Sequence, residues 1–282
     1  MANRIKTAGL TILDTRISYF EVGSGRPVLL LHGNPGTKND FRELAETFAD
    51  DRIRFVGIDR PGHGNSDELL PETPDPWFDA SAYQEFIKRI CGGKAYVVGY
   101  SLGAFLALKI ALREPGLVAG LGLVAPFVAP RDPNESPSSI PEYSRNPLLG
   151  TILGLALPSL SSGKMRQHLQ NVWAPVPIPE DILEEEHKRY THFEHLVSMM
   201  RDKNDMLRVL AEVQRRVNEI RCPAVAILGT KDAVCDPAAQ WKVLEALPGI
   251  QRIDLPEGGH GLPFTHRKEI GEALVKHITG CP

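Results

Sequence analysis

The chain has 282 residues, a length that suits one large domain carrying an insertion. Its 42% hydrophobic and 24% charged content is ordinary for a soluble globular protein. A net charge of −3 with no basic run argues against a nucleic-acid partner.

In chain order, Met1-Ala2-Asn3-Arg4-Ile5-Lys6 is not followed by the apolar run of a signal peptide. Residues 8–23 hold two strand-like pieces, read as an antiparallel edge. Six further strands are expected at Val28–Leu31, Ile53–Ile58, Ala95–Val98, Leu121–Val124, Ala224–Leu228 and Ile250–Leu255. Their continuous hydrophobicity suits strands buried on both faces of a mainly parallel sheet. Helical patterns fall between them near residues 38–49, 77–91, 103–113, 237–247 and 264–279. Asp236-Pro237 is a helix start, an N-cap acid followed by proline at the first helical position. The alternation predicts an α/β fold: a mainly parallel, eight-stranded sheet flanked by helices.

The alternation stops at residue 126. A Pro/Ser/Asn-rich stretch, Pro130–Pro147, is followed by helical segments that include Leu148–Leu157 and the charged run Pro179–Met206. We therefore expect a core domain of residues 1–125 and 208–282, with a helical lid of residues 126–207 inserted after the sixth strand. Leu148–Leu157 holds only ten apolar-rich residues, far short of the roughly twenty needed to span a bilayer. Cys91, Cys222, Cys235 and Cys281 are widely separated, with no C-x-x-C spacing, and read as free thiols in a reducing compartment. A cytoplasmic protein with no membrane span, monomeric or homodimeric, is the expectation.

The chemistry centres on Gly99-Tyr100-Ser101-Leu102-Gly103, a G-x-S-x-G motif between a predicted strand and a predicted helix. A serine on such a turn has an exposed hydroxyl beside backbone N–H groups. It needs a base, and the base needs an orienting group. Of nine histidines, His260 follows the last core strand within Glu257-Gly258-Gly259-His260-Gly261. That puts it on the sheet edge where ligands gather. The strand at 224–228 is followed by Asp232 and Asp236; Asp232 is nearer the strand end, and Asp236 is accounted for as an N-cap. Cys235 lies close to Asp232 in sequence. Two N–H donors for an oxyanion are expected from Leu102, after the serine, and Asn34, in His32-Gly33-Asn34-Pro35-Gly36, where Pro35 cannot donate.

His32–Gly36, Asp59-Arg60-Pro61-Gly62-His63-Gly64-Asn65-Ser66, the turn around Ser101, Asp232 and His260 together make the chain resemble the α/β-hydrolase superfamily over nearly its whole length. Members that take the acid from the strand before the lid would place it in Val124-Ala125-Pro126-Phe127, which contains none. The resemblance implies an acyl-enzyme mechanism: Ser101 attacks, His260 shuttles the proton, Asp232 orients it, and Asn34 and Leu102 hold the oxyanion. It implies no cofactor and no metal; the partners are a small acyl substrate and water. Asn34 also matches the superfamily's dehalogenases, but those use an aspartate nucleophile, and a serine attacking an sp³ carbon would leave an inert ether. The same argument removes epoxide hydrolysis.

Asp59 and His63 read as a tight turn buttressing the serine turn. His192 and His195 read as part of a solvated or pocket-lining lid helix. Leu148, Ile152, Leu155, Trp173 and Phe193 are expected as lid wall residues around an apolar or aromatic substrate. Carbon–carbon bond hydrolysis of a dienone-type acid uses the same triad and stays an alternative. So does a slow-turnover small-molecule sensor on the same fold.

Overall fold

An antiparallel pair opens the chain: β1 (Lys6–Ile12) and β2 (Thr15–Val22), joined through Leu13 and Asp14, both at positive φ. The computed structural model describes residues 4–68, 77–130, 132 and 134–281. Met1–Asn3 of the amino-terminal reading, and Arg131 and Pro133 of the Pro130–Pro147 stretch, lie outside the described residues. The remaining strands are β3 (Arg26–Leu31), β4 (Ile53–Ile58), β5 (Ala95–Tyr100), β6 (Val118–Val124), β7 (Ala224–Gly229) and β8 (Gln251–Leu255). They form one eight-stranded sheet in the order β1-β2-β4-β3-β5-β6-β7-β8. β2 meets β4 antiparallel, and every pairing from β4 onward is parallel.

Ten α-helices lie among the described residues. They are α1 (Arg42–Phe48), α2 (Phe78–Ile90), α3 (Leu102–Arg113), α4 (Ile140–Tyr143), α5 (Pro147–Trp173), α6 (Glu180–Tyr190), α7 (Phe193–Arg216), α8 (Pro237–Leu244), α9 (Leu262–Thr265) and α10 (Arg267–Gly280). The two-fold side-chain period of a strand explains the unbroken apolar runs. Leu29, Leu31 and Val97 face a core shared with Phe86 of α2, Phe105 of α3 and Leu244 of α8. Val28, Leu30 and Val98 face a second core shared with Leu44 of α1 and Leu274 of α10. Central strands lined on both faces place their carboxyl ends in the middle of one edge, where a site can form.

Local signals account for the helix boundaries. Asp236 accepts from the Ala238 N–H at 3.0 Å and Pro237 opens α8, as the sequence predicts. The pattern expected at 38–49 divides into a 3-10 turn (Lys38–Phe41) and α1. That at 264–279 divides into α9 and α10 at His266, whose φ of −129° leaves the helical region.

Four helices, α4 to α7, fill the interval between β6 and β7 and have a small core of their own around Leu157, Met165, Leu183 and Leu196. Helix α7 runs unbroken through residue 207. Its carboxyl half, with Met206, Val209 and Val213, is buried in the sheet core instead. No helix among the described residues is long and apolar enough to cross a membrane.

Candidate active site

Ser101 sits between the end of β5 and the start of α3 with φ 53° and ψ −118°. A non-glycine residue there carries backbone strain of about 1–3 kcal/mol, which only a well-determined surround sustains. The surround is visible. The Ser101 N–H donates to the Val124 carbonyl at 2.9 Å, and its carbonyl accepts from Ala104 and Phe127. The flanking glycines are there for close approach: a Cβ on Gly99 would lie 2.2 Å from the Gly103 carbonyl oxygen, and one on Gly103 2.2 Å from that of Leu31. The Leu102 N–H is the first of α3, where no intrahelical carbonyl can receive it.

The His260 ring spans the serine and an acid. Its Nε2 lies 2.9 Å from Ser101 Oγ and its Nδ1 2.7 Å from Asp232 Oδ2. An ionised carboxylate only accepts, so in the neutral ring Nδ1 carries the proton and Nε2 is left to accept from the serine. Asp232 uses its other oxygen to receive the Val234 and Cys235 N–H groups at 2.8 and 2.7 Å. One oxygen makes a local turn and the other orients the ring, so the two roles do not compete. Asp236 faces solvent as the cap of α8.

Burial of His260 favours its neutral form, but Cys235 and the hydrogen-bonded Asp232 outweigh it and hold the pKa above the usual histidine range. The ligand atoms of Asp232, Cys235 and His260 lie within 4.8 Å of one another. Within this group Asp232 and His260 are joined by a direct hydrogen bond.

Helix α5 closes over the His260 loop. Gly261 N–H donates to the Val172 carbonyl at 2.6 Å, and Trp173 stacks on Phe264 with centroids 5.5 Å apart and planes 5° from parallel. His168 lies one turn earlier on α5. Burial, then the neighbouring His260, pulls its pKa down to about 4, so it is neutral beside the site.

The loop after β3 lies against the serine, close enough that a Cβ on Gly33 would be 3.0 Å from the Ser101 Cβ. The Asn34 side chain is engaged: its Nδ2 donates to the Met199 carbonyl on α7 at 3.3 Å, and its Oδ1 accepts from Arg60. In the turn at 59–66, Asp59 receives the Lys38 and Asn65 N–H groups at 2.8 and 3.0 Å and pairs with the Lys38 ammonium. His63 reaches Asp202 of α7, at 2.8 Å, rather than the serine turn.

The structure thus brings Ser101, His260, Asp232, Leu102 and Asn34 together. It separates the expected wall residues. Trp173 packs beside the His260 loop and Phe193 on the small helical core. Leu148, Ile152 and Leu155 are 70%, 53% and 80% exposed, on a different face of α5 from the buried Leu157, Met165, Leu169 and Val172. Hydrophobicity alone marks this apolar run as a lining and does not say which way a helix faces. His192 precedes the first residue of α7, so it does not share a helix face with His195. His168, Arg60 and Asp202 carried no assignment from sequence. Arg60 belongs to the Asp59–Ser66 motif, whereas nothing in the neighbourhood of His168 or Asp202 sets them apart from other polar helix residues.

Comparison with known proteins agrees with this architecture. The pimeloyl-[acyl-carrier protein] methyl ester esterase of Chromobacterium violaceum is 28% identical over 91% of this chain and 96% of its own. A haloalkane dehalogenase of Mesorhizobium japonicum is 26% identical over 99% and 93%. An esterase from Exiguobacterium antarcticum superposes with a TM-score of 0.76 at 23% identity, over 98% of this chain and all (100%) of that one, a likeness of fold. A family model described as serine aminopeptidase, S33, matches residues 25–265. The chain is an α/β hydrolase and belongs to that family.

Proposed function

We propose that the protein is a serine hydrolase that cleaves a carboxylic ester or related acyl compound through an acyl-serine intermediate. The observation that carries this reading is the unbroken hydrogen-bonded row from Asp232 through His260 to Ser101. In it, His260 Nε2 takes the Ser101 proton as Oγ bonds to the substrate carbonyl carbon, and the carbonyl oxygen becomes an oxyanion facing the Leu102 and Asn34 amides. The C–O bond to the leaving group then breaks, and that group takes the proton from His260. Water, deprotonated by the same nitrogen, attacks the acyl-serine and releases the acid. Asp232 stays ionised and stabilises the imidazolium that forms twice per turnover.

Residues 126–207, which hold α4 to α6 and the amino-terminal half of α7, act in this reading as a cap over the site. The ester-cleaving relative fits carbonyl chemistry at Ser101. The dehalogenase relative does not transfer its reaction here. Attack by Ser101 on an alkyl halide would end in an ether, and the Asn34 side chain is occupied by Arg60 and Met199.

A fluorophosphonate probe with mass-spectrometric mapping, beside p-nitrophenyl ester turnover and a Ser101→Ala control, tests the reading. Labelling at Ser101 and turnover lost in the variant are expected. Wild-type protein that neither labels at Ser101 nor turns over any acyl substrate overturns it.

A further inference from the structure

Arg60 is 1% exposed and grips three consecutive residues of the loop beside the serine. Its backbone N–H donates to His32 Nε2 at 2.9 Å, and its Nη2 donates to the Gly33 carbonyl at 2.9 Å and to Asn34 Oδ1. The Nη1 end points away from the loop, into α7, where it meets Asp202 Oδ2 at 2.5 Å. His63 Nε2 reaches the same oxygen at 2.8 Å. The two residues of the ion pair are 142 positions apart, one in the core domain and one in the cap.

The charges around this pair resolve simply. Burial opposes ionisation of Asp202, but Arg60 and then His63 outweigh it and hold the carboxyl well below its usual range. Burial, then the nearby guanidinium, lowers the pKa of both His32 and His63, so both stay neutral. Arg60 and Asp202 are thus a directly paired cation and anion with neutral histidines on either side. A buried guanidinium that loses this carboxylate is held less firmly and shifts toward its remaining partners or water. That shift loosens Gly33 and Asn34, because the same planar group holds Asp202, the Gly33 carbonyl and Asn34 Oδ1.

We propose that Asp202 is a positioning residue: from the cap helix it fixes Arg60, and through Arg60 it holds the Asn34 amide at the oxyanion site. The inference rests on the acyl-serine reading above. On it, cap docking completes the oxyanion hole, and the cap shapes the rate as well as the substrate pocket.

The test compares Asp202→Ala, Asp202→Asn and Arg201→Ala. Arg201 also bridges cap to core, through Glu68 at 3.2 Å, but touches none of the loop residues and so controls for loosened cap attachment. Loss of one oxyanion donor lowers kcat by about 100-fold or more. Asp202→Ala is expected to lose kcat on that scale with KM within about threefold, and affinity for an alkylboronic acid, which mimics the tetrahedral state, should fall in parallel. Asp202→Asn keeps an acceptor without the charge and is expected to fall between the two. It also guards against misfolding of the alanine variant, and a moved Asn34 amide signal in its ¹⁵N spectrum gives a readout independent of turnover. Arg201→Ala should keep wild-type kcat.

Wild-type kcat and boronate affinity in a folded Asp202 variant, or an equal loss in Arg201→Ala, overturn the proposal while Ser101 labelling still upholds the serine reading. Wild-type protein that does not label at Ser101 overturns both.

Discussion

The Gly261 N–H and the Val172 carbonyl meet at 2.6 Å, so the residue after the proposed catalytic histidine hangs from the last turn of α5. The backbones run so close that a Cβ on Gly259 would lie 1.6 Å from the Ala174 carbonyl oxygen. Gly259→Ala must therefore displace the His260 loop, since neither contact atom belongs to a flexible side chain. A displacement near 1 Å lowers kcat/KM by about 100-fold. Gly116→Ala, where the new Cβ meets nothing within 4 Å, is the control and should be silent. Steady-state kinetics of the two variants check this, and equal activities would refute it.

Asp232 and Asp236 are four positions apart and divide two roles between them. Asp232→Asn keeps the turn to Val234 and Cys235 but removes the charge that holds the Nδ1–H tautomer. A kcat loss of about 10⁴-fold is expected, as for the corresponding change in a serine protease. Asp236→Asn exchanges one good N-cap for another and should leave kcat within about twofold and stability within a few tenths of a kcal/mol. Similar kinetics in both variants would reverse the assignment.

The sheet was legible because buried parallel strands are written as continuous apolar runs, and β4 begins and ends where the run at Ile53–Ile58 does. The serine turn was legible because Gly99 and Gly103 record a close approach in the sequence itself. The helices between β6 and β7 were harder. Leu155 and Leu157 are equally apolar, yet one is 80% exposed and the other 8%, and only tertiary packing decides between them. The Arg60–Asp202 pair was hidden for another reason. A contact spanning 142 positions leaves no local pattern, and a half-buried aspartate on a charged helix resembles its solvated neighbours.

Cys235 bears on the pH dependence. An imidazole must be neutral to accept the serine proton, so any group that favours imidazolium moves the acid limb of kcat/KM to higher pH. Burial acts the other way, and the sulfur of Cys235 and Asp232 together prevail. Removing the sulfur in Cys235→Ala takes away part of what favours the charged ring, which lowers the His260 pKa. The acid limb is then expected at lower pH than in the wild type, with the plateau largely kept. A pH–rate profile of both proteins checks the direction, and an unmoved or raised midpoint contradicts it.

Lys38, after β3, and Asp59, after β4, form a buried ion pair with side chains 7% and 1% exposed. The lysine also donates to Ser18 Oγ at 3.1 Å, and the carboxylate receives the Lys38 and Asn65 amides. Lys38→Met leaves an uncompensated carboxylate in the interior, a loss of about 3–5 kcal/mol. For a chain of this size that corresponds to a fall in Tm on the order of 10 °C. Adding Asp59→Asn removes the stranded charge while keeping an acceptor for one of the amides. The double variant is therefore expected to melt above Lys38→Met alone, although it carries one more substitution. Calorimetry of the three proteins decides the point, and strictly additive losses would show that the two side chains do not interact.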